Sequence, residues 1–261
     1  MTGSHQQVLS KRRTRMLARL GSARGRVREG SVLVEGVRAT AEALASGVVV
    51  RFAVCSRALT RSPAGEALLA ELEARGLTPD WVGEREMAAV SATASPQGIL
   101  LVCEEPSFAP ESLHVASDAR FLALDGIQDP GNLGTLVRTA SAFGLTGVIA
   151  LDGTVDPWNA RVVRASAGSV FRIPVVRAPW PEVATWNAAA QVIVADAAGR
   201  DAATLSVTSP WMLVVGNEGA GVRAEIREAA NASAAVPMAG AADSLNAAVA
   251  GAIVLYALTR A

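Results

Sequence analysis

The sequence predicts a two-part α/β protein: a small N-terminal α/β sandwich, then a larger C-terminal domain built on buried parallel strands. Three observations carry this. Short apolar runs alternate with stretches of helical period along most of the 261 residues, a length suited to two domains. Hydrophobic residues make up 51% of the chain but aromatic ones only 4%, so the core is built from Ala, Val and Leu. That composition suits helices packed on Val- and Ile-rich sheets. Finally, Glu104–Asp118 carries Pro106, Pro110, acids and serines without any period, and reads as a linker. The expected division is residues 1–105, a linker over 106–118, and 119–261.

In the N-terminal part, Ser31–Glu35 is strand-like, and Val37–Ser46 has helical character closed by Gly47. Val48–Val54 is again strand-like. Pro63–Arg75 places Leu68, Leu69 and Leu72 at helical spacing and ends at Gly76, and Gly98–Val102 supplies a last strand. In the C-terminal part, Phe121–Leu124, Val148–Leu151, Phe171–Val176, Val192–Ala195, Met212–Val215 and Ala234–Val236 are short apolar runs suited to parallel strands. The clearest helix between them is Asn132–Phe143, whose Leu133, Leu136, Val137, Ala140 and Phe143 share one face before Gly144. Arg138 lies about 140° from Leu133 on the helical wheel, away from that stripe and available to a ligand.

The formal net charge is zero, but it is unevenly spread. Lys11, Arg12, Arg13, Arg15, Arg19, Arg24, Arg26 and Arg28 crowd the start of the chain, with Glu29 the only acid among them. Such a cluster is either a solvated terminal segment or a phosphate-binding surface, and charge alone leaves both readings open. Cys55 and Cys103 sit in apolar runs without metal-ligand spacing, so buried thiols and no metal are expected. No apolar stretch reaches the roughly 18 residues of a membrane span. The longest, Ala247–Leu258, is too short, and no signal-peptide pattern opens the chain, so a cytoplasmic protein is expected.

In open α/β sheets the ligand site is built by loops after the strands' carboxyl ends. Three such loops are rich in Gly, Asn and small polar residues: Asp125–Arg138 (DGIQDPGNLGTLVR), Gly216–Val222 (GNEGAGV) and Val236–Ala248 (VPMAGAADSLNAA). The first delivers Asn132 to a helix start, where Asn serves equally as a cap or as a ligand group. The second permits close backbone approach to a flat ligand, with Glu218 its one charged group. The third sets Ser244 and Asn246 at another helix start, with the same two readings. No Walker-type loop is present, and no G-x-G-x-x-G follows a strand, so the two commonest nucleotide-binding devices are absent.

Together, and in this order, the three loops resemble the motifs of the SpoU (TrmH) branch of the SPOUT RNA methyltransferases. Asn132, Gly134 and Arg138 are similar to its first motif, and Gly216, Glu218, Gly219 and Gly221 to its second. Pro237, Met238, Gly240, Ser244, Leu245 and Asn246 are similar to its third. The run Val162–Val175 (VVRASAGSVFRIPV) resembles ribosomal-RNA-modifying members. The resemblance extends from Phe121 to the C-terminus. The N-terminal part, through Val32–Gly36 and the basic stretch before it, is similar to the family's appended substrate domain, which resembles an RNA-binding ribosomal protein. Ala241 and Ala242 depart from the pattern, occupying a turn where the family often has glycines.

The resemblance implies a deep trefoil knot, against base rates, and a homodimer in which each site lies near the partner's first motif. It implies S-adenosylmethionine as methyl donor, bound by Gly216, Glu218, Gly219, Val236, Met238, Leu245 and Asn246. Arg138 would face the ribose, aided by Asn132, Glu218, Ser244 and Asn246. RNA would meet Lys11, Arg12, Arg13, Arg15 and Arg164. The implied reaction moves methyl from a sulfonium to a ribose 2′-hydroxyl, which needs help in losing its proton. His5 and His114 lie outside the three loops, so a histidine base is not expected. A guanidinium stays protonated in proteins, so Arg138 is expected to remain charged, grip the phosphate beside the target ribose and stabilise the alkoxide. The expected substrate is ribosomal RNA, 23S in particular. The alternatives are a transfer RNA, or an inactive RNA-binding protein on the same scaffold.

Overall fold

The computed structural model describes residues 9–108, 113, 116–186, 188–240 and 244–260. His5, His114, Pro110, Ala241 and Ala242 lie outside them. The described residues form two compact units, one running up to Pro106 and including Trp158–Phe171, the other made of Ser107–Pro157 and the residues from Arg172 onward.

The first unit opens with two short helices, α1 (Lys11–Leu20) and α2 (Ala23–Glu29). Each starts at a serine (Ser10, Ser22) whose hydroxyl accepts a first-turn N–H. The basic stretch therefore forms a helix, and Leu17 and Leu20 fix it by burying against the sheet core of Leu33, Phe52, Val54, Leu100 and Val102. There follow β1 (Ser31–Glu35), α3 (Val37–Ala45), β2 (Val50–Cys55), α4 (Pro63–Ala74), β3 (Asp80–Trp81), α5 (Glu84–Val90) and β4 (Ile99–Glu104). The sheet order is β1-β4-β2-β3, with β4 antiparallel to both neighbours and β3 parallel to β2. Strand β3 and helix α5 are too short to show a period in the sequence. Burial at β2 and β4 removes Cys55 and Cys103 from solvent, as expected.

The second unit holds β5 (Arg120–Asp125), α6 (Pro130–Ala142), β6 (Gly147–Ala150), β7 (Val175–Arg177), α8 (Trp180–Trp186), β8 (Gln191–Asp201), β9 (Trp211–Gly216), α9 (Ala224–Glu228), β10 (Ala232–Ala235) and α10 (Ala247–Arg260). The six strands form one wholly parallel sheet in the order β10-β8-β9-β5-β6-β7. Strands β6 and β9 are buried along their whole length, and β5 nearly so, which is why their sequences read as unbroken apolar runs.

Two expectations need correction. The run Phe171–Val176 is a strand only from Val175, because Ser169–Phe171 forms a 3-10 turn and Pro174 has no N–H for the ladder. Leu113, expected in a linker, is a core residue of this unit, 4% exposed. A Cβ on Gly147 would fall 2.3 Å from its Cδ2.

Helix α7 (Ala160–Ala165) lies in Trp158–Phe171, the segment that packs with the first unit. Ala160 rests on that unit's core, and Gly168 (φ 84°) backs onto Ala39 and Glu42 with no room for a side chain. Among the described residues, no helix is long and apolar enough to cross a membrane.

Candidate active site

From β5 the chain builds β6 and β7 on one side, then returns to build β8 and β10 beyond β9. The reversal falls between β5 and β9, adjacent strands whose pairing runs from Arg120↔Trp211 to Asp125↔Gly216. Ligands gather outside the carboxyl ends of strands at such a point. The first two glycine-bearing loops begin there.

Helix α6 is capped by Asp129, whose Oδ1 accepts the Asn132 N–H at 2.8 Å, with Pro130 in the first turn. The capping alternative for Asn132 therefore falls away. The helix begins before it, and its side chain is free for other partners. Asn246, by contrast, does cap α10, its Oδ1 accepting the N–H groups of Ala248 (2.9 Å) and Val249 (3.3 Å).

That cap orients a chain of bonds. Since Asn246 Oδ1 is committed to the helix, its Nδ2 donates, and it reaches Asn132 Oδ1 at 2.9 Å. Asn132 Nδ2 then donates to Glu218 Oε1 at 2.7 Å. A carboxylate only accepts, so each amide has one consistent orientation. One residue from each loop is thus joined in a line, Asn246 to Asn132 to Glu218.

The second loop is shaped by close backbone approach. Asn217 and Gly221 exchange backbone hydrogen bonds at 3.1 and 2.9 Å, and Gly221 takes φ 69°. A Cβ on Gly216 would fall 2.3 Å from the backbone of Gly221 and Val222, so only glycine fits. Asn217 Nδ2 donates to Gly126 O at 2.8 Å, and the buried Asp125 carboxylate accepts from Arg223 N (2.8 Å) and Nε (2.6 Å). The second loop is in this way fastened to the end of β5.

A third wall comes from β8, which the sequence marked only as far as Ala195. Its register against β10 jumps from Val194↔Ser233 to Arg200↔Ala234, so residues 195–199 bow out of the ladder. Within this bulge Asp196 pairs with Arg227, which also donates to Val222 O at 2.8 Å. Asp125, Asp196, Arg223 and Arg227 were missed by sequence reasoning. Only Asp125, at a strand end inside the first loop, carried a signal. The others reach this site through pairs 31 and 98 positions apart, Asp196 with Arg227 and Arg223 with Asp125.

Together these parts enclose a cavity of about 410 Å3. Of the expected donor-binding residues, Gly216, Glu218, Val236, Met238, Leu245 and Asn246 line it, as does Ser244. Gly219 does not, its N–H being turned to Asn217 Oδ1 at 2.9 Å. Asn132 stands behind the wall, holding Glu218. Arg138 is exposed on α6 and off this cavity. Of the expected RNA-binding residues, Lys11, Arg12, Arg15 and Arg164 are exposed. Arg13 is committed within its own unit, paired with Asp80 and 4.7 Å from the Phe52 ring.

The cavity fits S-adenosylmethionine in kind. Its volume lies in the range of small-ligand sites, roughly 300–1,000 Å3. It is apolar at Ala234, Val236 and Leu245, has a side-chain-free approach at Gly216, and carries the Glu218 carboxylate to complement a sulfonium.

Comparison with known proteins agrees. Residues 119–256 match the family described as SpoU rRNA Methylase family, and residues 11–101 the MRM3-like substrate binding domain. A 23S rRNA (guanosine(2553)-2'-O)-methyltransferase, RlmP of Bacillus subtilis, is 37% identical over 92% of this chain and 93% of its own. An AdoMet-bound rRNA methyltransferase from Sinorhizobium meliloti superposes with a TM-score of 0.84 at 33% identity, over 97% of this chain and 96% of that one. The SpoU methyltransferase AviRb from Streptomyces viridochromogenes, also solved with AdoMet, gives 0.82 at 30% identity, over 96% and 97%. With three loops of one sheet joined around a donor-sized cavity and both parts of the chain matched, this protein belongs to the SpoU rRNA methylase family.

Proposed function

We infer that this chain transfers a methyl group from S-adenosylmethionine to a ribose 2′-hydroxyl of RNA, and that its substrate is 23S ribosomal RNA. The observation that carries this is the Asn246–Asn132–Glu218 line, which sets a carboxylate on the wall of the donor cavity. When bound, the donor supplies an electrophilic methyl on a cationic sulfur. The chain's own residues do the rest. Gly216 leaves the backbone open to the donor, Glu218 offers the opposing charge, and Ser244 and Asn246 set polar groups at the same wall. The 23S assignment is supported by the activity for which the Bacillus subtilis relative is named.

Arg138 is proposed to hold the phosphate beside the target ribose and to stabilise the developing alkoxide. Because it is exposed and off its own chain's cavity, it acts at the site of a second copy. A homodimer is supported by the outer face of α10. There Val249, Ile253 and Tyr256 recur at helical spacing and are 47%, 42% and 53% exposed, an apolar stripe that a second copy would cover. The proposed trefoil knot accords with the three loops meeting and bonding to one another at one end of the sheet.

A substrate domain over residues 1–105, resembling an RNA-binding ribosomal protein, and a methyltransferase domain over 119–261 accord with the two family matches. In this reading Lys11, Arg12 and Arg15 on α1, with Arg13 beside them, and Arg164 meet RNA phosphates, and the enzyme works in the cytoplasm. The test is calorimetry with S-adenosylmethionine, combined with ribose-methylation mapping on 23S RNA from cells with and without the protein. Micromolar donor binding and one protein-dependent methylated position are expected. Failure of the donor to bind refutes the reading.

A further inference from the structure

Within the first unit is a second cavity, of about 510 Å3, that shares no residue with the donor site. The start of α3 (Gly36, Arg38), the loop before β4 (Thr93, Ser95, Gln97) and Arg164 of α7 form its walls. Three features define its chemistry.

The first is uncommitted positive charge. Arg38 and Arg164 are exposed, and neither makes an ion pair among the described residues. Helix α3 adds to this, since it starts at Gly36 with no side-chain cap and no acid in its first turn.

The second is that the one acid on the wall is spent. Glu35 is 3% exposed. Its carboxylate accepts from the Ser91 hydroxyl, from Thr93 Oγ1 at 2.7 Å and from Ala92 N at 3.0 Å. It fixes the loop over residues 91–93 and leaves little acceptor capacity for a ligand.

The third is a set of neutral groups held in place. Gln97 Oε1 accepts from Val37 N at 2.9 Å, which commits the amide oxygen to the helix and leaves its NH2 group as donor. Gly36, at φ 99°, allows this approach, since a Cβ there would fall 3.0 Å from that same oxygen.

Two guanidiniums on one concave wall with neutral donors suit a phosphate that carries a flat polar group. A base paired in a duplex cannot enter such a hollow, whereas an unstacked one can, and guanidinium planes can stack on it. We propose that this cavity receives one unpaired nucleotide of the RNA substrate, its phosphate between Arg38 and Arg164 and its base against Gln97 and Ser95. The proposal rests on the reading of the chain as an RNA-modifying enzyme, and it adds a recognition point separate from the methylated nucleotide.

The test uses the full chain and fluorescence anisotropy with a short single-stranded RNA of mixed sequence, the corresponding blunt duplex, and AMP as a free nucleotide. Arg38→Ala combined with Arg164→Ala should weaken single-strand binding at least roughly tenfold, the scale of losing charge-assisted bonds to one phosphate. It should also flatten the log–log salt dependence by about 0.7 for each phosphate no longer neutralised. Duplex binding should fall clearly less, and Tm and calorimetric affinity for S-adenosylmethionine should stay unchanged. Gln97→Ala should reduce discrimination among single strands of different base composition. The proposal is overturned by unchanged single-strand affinity in the double variant, by an equal loss on the duplex, or by tight AMP binding that RNA does not displace. A wild-type chain that fails to bind S-adenosylmethionine would instead sink the methyltransferase reading, so the two failures are distinguishable.

Discussion

Asn132 is the middle of the line that holds Glu218, and replacing it tests whether that line matters. Asn132→Ala removes one hydrogen bond to a carboxylate (2.7 Å) and one to a neutral amide (2.9 Å). Bonds to charged groups contribute roughly 1.5–3 kcal/mol and neutral ones about 0.5–1.5 kcal/mol. The site is partly open to water, so the low end of the sum applies, about 2 kcal/mol, or roughly 30-fold in rate. Asn132 does not line the cavity, but it holds the carboxylate that faces the donor, so the donor Kd should rise while kcat for methyl transfer falls. Asn132→Asp is the sharper change, since it sets a second carboxylate against Glu218 where a donor stood. Two carboxylates this close cannot both be charged without cost. Turnover should therefore fall below that of the alanine variant at pH 8 and recover toward it as the pH is lowered. Single-turnover methylation with a saturating donor, calorimetry and Tm separate the contributions. The reasoning fails if the alanine variant turns over within about threefold of wild type, or if the aspartate variant matches it at every pH.

Two further outcomes are expected. If Arg138 serves the site of a second copy, mixing inactive Arg138→Ala and Glu218→Ala chains should restore activity. Free exchange makes half the dimers mixed, each with one intact site, so about a quarter of wild-type activity should return; no recovery would place Arg138 in its own chain's site. Burial pushes the Cys55 and Cys103 thiols up to about 12, with the Glu104 charge adding to the effect at Cys103. The folded state thus holds both neutral where an unfolded chain, at about 8.5, already ionises. The associated stability is complete below the unfolded value and is lost as pH rises toward 12, so urea midpoints should fall between pH 9 and 11, and less steeply after Cys55→Ala. Iodoacetamide at pH 8.5 should label both thiols only in urea, and ready labelling of the native chain would contradict this.

Much of the fold was legible because buried parallel strands leave a strong trace. Val148–Leu151 and Met212–Val215 are apolar on both faces, and their observed strands fall within a residue of those runs. Strand β3 has two residues and no period to read. The bulge at residues 195–199 is set by its pairing with β10, which no local pattern encodes. Leu113 sat unnoticed in an aperiodic segment, because a single apolar anchor has no period either. At the site, Gly216, Glu218 and Asn246 were marked by the company they keep in their loops. The role of Asn132 was blurred because a helix start offers Asn two occupations. The nearby Asp129 took the cap, and that choice is resolved only in three dimensions.

The geometry of α6 explains why one helix cannot turn both Asn132 and Arg138 toward the same cavity wall. They are six positions apart, which at about 100° per residue sets them roughly 120° from each other around the axis. Leu133, Leu136 and Val137 are fully buried, so the helix cannot roll to present the arginine without lifting them out of the core. The face bearing Asn132 is fixed to its own chain by Glu218 and Asn246, and the face bearing Arg138 is left to solvent. A guanidinium on the inward face would compete with Asn132 for the Glu218 carboxylate, and on the proposed mechanism those two charges serve separately. On the proposed mechanism, keeping them on different faces leaves Glu218 for the donor and Arg138 for a phosphate. In the proposed reading the two therefore converge on a single ribose when a second copy brings its own α6 to this cavity.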